Sequence, residues 1–346
     1  MNVLIVGITP PETGGSEKHI YEITKRLAKS RDIAILTQKG SSCSKFAKTI
    51  EIDLPNKPLI LRNFIFLLKV FAYFLFSKRY DLVHIHENYL FLLAPLLKLK
   101  ARKFIATAHG CFGFAYYENL FLRKIYFGLI KIFADTVIFV YEPEYQLFNK
   151  DIPQAKYIPN GVDTSAFKWS KTVTENIVYF GRFHPKKGIT YLINAFLDIK
   201  IRYPKLRLVL IGEETEYQRT LRRMVEGISN IDFLGFVDDE SLAKLLISAK
   251  AIVLPSLSEG SSLAVFSALA SSRPLITTNI PANKFLEREN VALLVEPADS
   301  EALASAIMKL IENNKLADKL AENGRKLSQK YDWNFIAELV GTTYGE

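Results

Sequence analysis

The sequence predicts an α/β protein built on two doubly wound parallel sheets, and three observations carry that reading. The chain has 346 residues, too many for one comfortable core and well suited to two domains of ordinary size. Its apolar residues, 49% of the total, fall in short runs of the kind that strands covered on both faces show. Helical patterns separate these runs one by one, as parallel pairing through crossovers requires.

The first run, in MNVLIVGITP, has no basic leader and reads as a buried strand over 3–8, not as a secretion signal. The loop TPPETGGSEKH (9–19) brings Gly14 and Gly15 ahead of a helix over 17–29, with Ser16 as its expected cap. Glycine there lets the backbone approach a phosphate or a sugar closely. Strands are predicted over 33–37, 82–85, 104–107, 136–140 and 157–158, with a helix over 89–97.

Between the second and third strands lies the greasiest segment, PLILRNFIFLLKVFAYFLFSKRY (58–80). Arg62 and Lys69 interrupt it, so an internal helix or one lying in a membrane interface fits better than a span. The helical pattern at 120–135 mixes aromatics with Arg123, Lys124 and Lys131, and LLKLKARK (96–103) adds positive charge. Residues 1–165 hold 22 Lys and Arg against 14 Asp and Glu, and the remainder 23 against 22, so the net +9 belongs almost wholly to the first half. The expectation is that the first domain rests on an anionic membrane surface. The alternative is a set of ordinary amphipathic helices packed on the sheet. Nucleic acid is disfavoured as a partner, because the basic residues interleave with apolar helix faces and no recognition motif is visible. Cys43 and Cys111, the two cysteines, read as reduced thiols, which suits the cytoplasm.

The turn Ile-Pro-Asn-Gly-Val-Asp at 158–163 breaks the rhythm, and the polar stretch 164–175 reads as a linker. The expected domains are 1–165 and 166–330, followed by a terminal segment 331–346. A second strand series is predicted over 177–180, 208–211, 231–234, 251–254, 275–277 and 293–295, with helices over 192–200 and 242–248. The tail 300–344 is helical in pattern, with a break expected near Asn323-Gly324. Ligands of such sheets sit beyond the carboxyl ends of the strands, so a cleft between facing domains is the expected site.

The chemistry concentrates in VLPSLSEGSSLAVFSALASSRPLITTNIP (253–281). Glu259 stands at the mouth of a small-residue helix that Gly260, Ser261, Ser262 and Leu263 open with free backbone N–H groups. Such a start attracts anions. In GRFHPKKG (181–188), Arg182 offers a planar fork and Lys187 a point charge at a strand end, two cations able to neutralise a diphosphate. His109 follows a strand directly and precedes Gly110. His84 and His86 alternate in VHIH, a spacing open to a metal, but no third ligand accompanies them and core roles fit better. The chain contains no GxGxxG, no GxxxxGK[ST] and no Asp-x-Asp, which disfavours hydride and phosphoryl chemistry and gives no support to a bound metal or other cofactor.

Read together, these segments resemble the retaining nucleotide-sugar glycosyltransferases of family 4, the group 1 type with the GT-B fold. PPETGGSEKHIYEITKRLAK looks like the family's first glycine loop and helix, and DLVHIHENY like its following strand. TAHG, YIPNGVDTSAF, FGRFHPKKGITYLINAF, LVLIGEETEY, IDFLGFVDD and PSLSEGSSLAVFSALASSRPLITT follow in family order. YDWNFIAELVGTTY resembles the terminal helix that crosses back onto the first domain. The resemblance implies two Rossmann-like domains facing a central cleft and transfer of a hexose from a nucleoside diphosphate sugar to a saccharide or lipid-linked acceptor, with retention. Arg182 and Lys187 would grip the diphosphate, assisted by the amides of Ser262 and Leu263. Glu259 would hold sugar hydroxyls, His109 would touch the donor sugar, Gly15 would let the backbone close over it, and Gly235 and Phe236 would flank the base. An acceptor waiting at a membrane would place the enzyme on its cytoplasmic face.

Two positions depart from the family pattern. Ser267 stands where a second glutamate, eight residues after the first, holds the ribose. On a helix, eight residues rise about 12 Å and complete just over two turns, so the two positions share a face while reaching different parts of the donor. Ser272 replaces a glycine. A weakened, sugar-nucleotide-binding homologue and a sugar-nucleotide epimerase of the same fold are the competing readings.

Overall fold

The computed structural model describes residues 1–11, 14–55, 58–110, 120–168, 170 and 172–345. Cys111 lies outside them. Contacts divide the chain into two units, Met1–Gly161 with Trp333–Glu346, and Val162–Asp332.

The first unit holds strands β1 (Asn2–Val6), β2 (Asp32–Gln38), β3 (Lys48–Ile52), β4 (Tyr80–Ile85), β5 (Ala101–Ala108), β6 (Thr136–Phe139) and β7 (Ala155–Tyr157). They form one parallel sheet in the order β3-β2-β1-β4-β5-β6-β7. Its helices are α1 (Gly15–Leu27), α2 (Leu59–Phe76), α3 (Ala94–Lys100), α4 (Leu120–Phe133) and α5 (Glu142–Phe148). Val3 to Val6 are fully buried because β1 is central and covered on both faces.

The second unit holds β8 (Asn176–Phe180), β9 (Arg207–Ile211), β10 (Ile231–Leu234), β11 (Ala251–Leu254), β12 (Leu275–Thr278) and β13 (Ala292–Val295), again all parallel, in the order β10-β9-β8-β11-β12-β13. Its helices are α6 (Ile189–Lys200), α7 (Glu216–Met224), α8 (Asp239–Ser248), α9 (Leu263–Ala270), α10 (Lys284–Arg288), α11 (Ser300–Glu312) and α12 (Asn314–Ser328). The terminal helix α13 (Trp333–Gly345) belongs to the first unit. It packs on α1 so closely that a Cβ on Gly341 would lie 2.9 Å from Arg31 Nη1 and 3.1 Å from Leu27 Cδ2.

Four expectations need correction. The edge strand β3 was not anticipated, because KTIEI alternates and is only partly buried. The predicted helix over 89–97 is instead a 3-10 segment, Asn88–Leu93, leading into α3. Helix α12 runs unbroken through Asn323-Gly324, where the missing side chain lets the helix approach Leu269; a Cβ there would sit 3.2 Å from Leu269 Cδ2. Ser16 is not the cap of α1. The helix starts at Gly15 with Gly14 before it and no side-chain cap, and the Ser16 hydroxyl donates to Glu17 Oε2 at 2.9 Å.

Ser272 explains the glycine it replaces. Its φ is +58°, a left-handed conformation that costs a residue with a Cβ roughly 1–2 kcal/mol. We therefore expect Ser272→Gly to stabilise the second unit by up to about 1 kcal/mol, after the larger unfolded-state entropy of glycine is deducted. Denaturant unfolding of the two proteins side by side checks this.

Candidate active site

In an open parallel sheet, ligands bind beyond the strand ends where the strand order reverses direction. In the second sheet that point lies between the neighbours β8 and β11. The loop after β8 ends in a short 3-10 turn, Pro185–Lys187, opened by His184 Nδ1 accepting from the Lys186 amide at 3.2 Å and closed by Gly188 at φ +65°. A Cβ on Gly188 would lie 2.0 Å from the Pro255 carbonyl oxygen. Glycine is therefore what allows this loop to touch the one after β11, and the Leu257 amide donates across to the Lys186 carbonyl at 2.7 Å.

The contact between loops delivers the chemistry. Lys187 Nζ is ion-paired with Glu259 Oε1, and both side chains are largely withdrawn from solvent, at 25% and 14% exposure. The Ser256 hydroxyl donates to the same carboxylate oxygen at 2.7 Å. Behind it, Asn283 Nδ2 donates to Thr277 Oγ1 and to the Thr278 carbonyl, both at 3.0 Å, and the Thr277 hydroxyl donates to the Leu254 carbonyl at 2.7 Å. Lys187, Ser256, Glu259, Ser262 and Thr277 line one hollow with Tyr179.

Helix α9 opens on this hollow with Leu263, and no side-chain hydrogen bond caps it. Glu259 is not on that helix, because Gly260 to Ser262 form the turn ahead of it. The shared helical face inferred for Glu259 and Ser267 is thus corrected. Ser267 sits one turn into α9, only four residues or about 6 Å from its start, and is partly exposed.

The remaining predicted positions spread along the same edge. Arg182 is exposed at the end of β8, its carbonyl accepting from the Tyr179 hydroxyl at 3.0 Å. Gly235 and Phe236 form the exposed turn after β10, with Phe236 at 73% exposure, and do not line the hollow. Ser256, Tyr179, Thr277 and Asn283 were not read as site residues. The Pro-Ser that ends β11 was the one signal for Ser256; the other three sit within or beside apolar runs and read as packing.

The first unit repeats the logic. Its order reverses between β1 and β4, and the glycine loop follows β1. A Cβ on Gly15 would meet nothing within 4 Å, so packing among the described residues does not demand glycine there. Four histidines gather at the ends of β4 and β5 and on α1. The His84 and His86 rings are 4.1 Å apart and those of His19 and His109 5.0 Å. His86 Nδ1 and His109 Nε2 share a hydrogen bond of 3.1 Å. His84 bonds the Tyr344 and Thr107 hydroxyls at 2.8 and 2.6 Å, and His19 bonds Asn160 Oδ1 at 2.8 Å. His84 and His86 therefore hold the interior together, as expected of them. No group of three or more potential ligands among the described residues is placed to hold a metal.

Burial sets the charge state here. It lowers His19 to about 4 against its hydrogen bond to Asn160, and with the neighbouring His19 lowers His84 to about 3. Burial and neighbouring rings hold His86 and His109 well below their ordinary value. His109 is thus a neutral hydrogen-bonding group, suited to a hydroxyl and contributing no charge to an anion. Burial, reinforced by Glu17, lifts Glu87 to about 7.

Two parallel sheets, one bearing an ammonium, a carboxylate and an uncapped helix start at its reversal point, define an α/β protein built to hold an anionic, hydroxylated ligand. The family follows from comparison. Residues 13–166 match the model for Glycosyltransferase Family 4 and residues 163–327 that for Glycosyl transferases group 1; the chain belongs to the group 1 glycosyltransferases. It is 27% identical to an uncharacterized glycosyltransferase of Methanocaldococcus jannaschii, over all of this chain and 98% of that one. It is 26% identical to the O-antigen chain mannosyltransferase RfbU of Salmonella typhimurium, over 78% of this chain and 81% of that one. HepE of Anabaena, solved with UDP-glucose, shares the GT-B fold at a TM-score of 0.81 and 18% identity, covering 100% of this chain and 99% of that one.

The histidines make stability depend on pH with a definite sign. Their folded pKa values lie below the unfolded 6.5, so the unfolded chain binds protons that the folded one refuses. The first unit should lose up to about 1.4 kcal/mol per histidine for each pH unit below 6.5, down to the folded values. Glu87 acts oppositely: its stabilisation is full below the ordinary carboxylate value and is lost as pH rises through about 7. One carboxyl does not offset four imidazoles. Unfolding measured at pH 7, 6 and 5 should show the decline, with a shallower slope in His84→Gln.

Proposed function

We propose that this glycosyltransferase moves a hexose from a nucleoside diphosphate sugar to a hydroxyl of a saccharide or lipid-linked acceptor, with retention of configuration. The carrying observation is the pairing of Lys187 with Glu259 beside the start of α9. The ammonium and carboxylate satisfy each other. An arriving diphosphate draws Lys187, with Arg182 and the α9 amides, toward the charge that grows on the departing nucleotide. Glu259 is left to accept hydrogen bonds from sugar hydroxyls, held by Ser256.

Retention is supported by what Glu259 is not. It is the one carboxylate among the described residues lining the hollow, and with its oxygens engaged by Ser256 and the sugar hydroxyls it is not free to take the acceptor's proton. The acceptor proton then goes to a phosphate oxygen of the leaving group on the same face. The C1–oxygen bond to phosphate breaks, that to the acceptor forms, and a nucleoside diphosphate leaves. The mannosyl relative and the UDP-glucose-bound neighbour support a nucleotide-sugar donor. The buried, free Cys43, whose thiol burial pushes up to about 11, fits a reduced cytoplasmic setting.

Lys187→Ala should abolish the rise in melting temperature that UDP- or GDP-hexose gives the parent protein, and the anomer formed should be the donor's own by NMR. Full stabilisation of the variant, or the opposite anomer, defeats the reading. A separate substitution restores the missing charge: Ser267→Glu should tighten donor binding by about tenfold or more, equivalent to the 1.5–3 kcal/mol of a charge-assisted hydrogen bond. Calorimetry decides it. Donor binding without any transfer would identify the weakened homologue instead.

A further inference from the structure

Helix α2 is apolar on the wrong side. Its inner face, Arg62, Phe66, Val70 and Phe74 at four-residue spacing, is buried, and the three apolar members belong to the first unit's core. Its outer face carries Ile60, Phe64, Leu68, Phe71, Leu75 and Phe76, exposed by 85, 55, 48, 40, 47 and 89%. A helix that is apolar all round belongs in a core or in lipid, and a contiguous apolar surface of this extent marks an interaction site. The polarity is inverted even in detail, since Arg62, the one charged residue of the first two turns, points inward.

The helix is long and apolar enough to cross a bilayer, with a mean hydropathy of 1.9 over 18 residues. Its inner face, however, is committed to the protein core, so it can lie in an interface but not traverse one. The surroundings are cationic. Lys69, Lys78 and Arg79 are exposed on or directly after the helix. Lys100 Nζ donates to the Leu75 and Ser77 carbonyls at 3.1 and 3.0 Å at its end. Helix α3, which packs against both α2 and α4, shows Leu99 at 74% exposure beside Lys100, with Lys98 ion-paired to Asp135, and α4 shows Ile132 at 72% beside Lys131. No acidic residue occurs in 59–76.

We propose that the outer face of α2 lies in the headgroup–acyl boundary of an anionic bilayer, its apolar side chains immersed and the flanking lysines and arginine on the lipid phosphates. Charge complementarity selects lipid over a second copy of the chain, which would set like charges face to face. Docking itself is independent of the transferase reading. Only its consequence, that the acceptor is presented from the lipid phase, rests on that reading.

The test is co-sedimentation of the full chain with phosphatidylcholine vesicles, alone or with 30 mol% phosphatidylglycerol (roughly the anionic load needed for electrostatic attraction). Binding should be at least tenfold stronger to the anionic vesicles and weaken with salt. The double variant Phe64→Glu/Leu68→Glu should lose binding by tenfold or more yet keep the donor-induced thermal shift, which separates a failure of docking from a failure of donor recognition. A milder pair, Phe64→Ser/Leu68→Ser, guards against misfolding. Equal recovery on both vesicle types, or a parent dimer in sedimentation velocity that the Ser pair converts to monomer, overturns the proposal.

Discussion

The ion pair between Lys187 and Glu259 is the constraint on which the site depends. Two charges largely withdrawn from water are costly to hold apart and costly to orphan, so the loops that carry them must meet. They meet because β8 and β11 are hydrogen-bonded neighbours although β9 and β10 intervene in sequence. Gly188 then removes the one side chain that would keep the Pro255 carbonyl away. Glu259 is steadied further by Ser256, whose loop is pinned by Thr277, Thr278 and Asn283. The pair is thus held in place by its own loops.

Both sheets obey the same rule with different chemistry. At the reversal of the second sheet stand charges; at that of the first stand neutral imidazoles, glycines and the Glu87 carboxyl, which burial and Glu17 raise to about 7. The histidine stack is possible only because the rings are uncharged. Four imidazoliums linked by neighbour spacings of 4 to 6 Å would repel strongly at any interior dielectric. Tyr344 and Trp333 on α13 complete that interior, with Tyr344 bonded to His84 and Trp333 edge-on to His19. The terminal helix is therefore a structural part of the first unit.

Much of this was legible in the sequence, because doubly buried strands write themselves as apolar runs: β1, β4, β8, β9 and β11 all fall where those runs predict. What failed did so for physical reasons. Edge strand β3 buries little and leaves no run. Gly324 looked like a helix end and is a packing contact, a distinction set by Leu269, 55 positions away in sequence. At the site, residue types announced the cations, the carboxylate and the helix start. The pairing of Lys187 with Glu259 depends on strand order, which no local pattern records. The polar network behind Glu259 was invisible because threonine and asparagine in or near a strand carry no sign of which neighbour they will bond.

Ser267, on α9, and Ser272, in the turn just after it, make separate demands on this stretch. Ser272 sits in a left-handed turn that the fold enforces from both sides. Arg273 is tied by its Nε to the Ile247 carbonyl at 2.6 Å and by Nη2 to those of Ser170 and Thr172 at 2.9 and 3.0 Å, and Pro274 leads straight into β12. Strain there persists because its surroundings over-determine it. Ser267 strains nothing; it subtracts a charge. LAVFSALA, the whole of α9, contains no ionisable residue, so among the described residues lining the hollow Glu259 alone opposes Lys187 and the positive helix start. Relative to a site with a second carboxylate on this helix, the field at the hollow is therefore more positive.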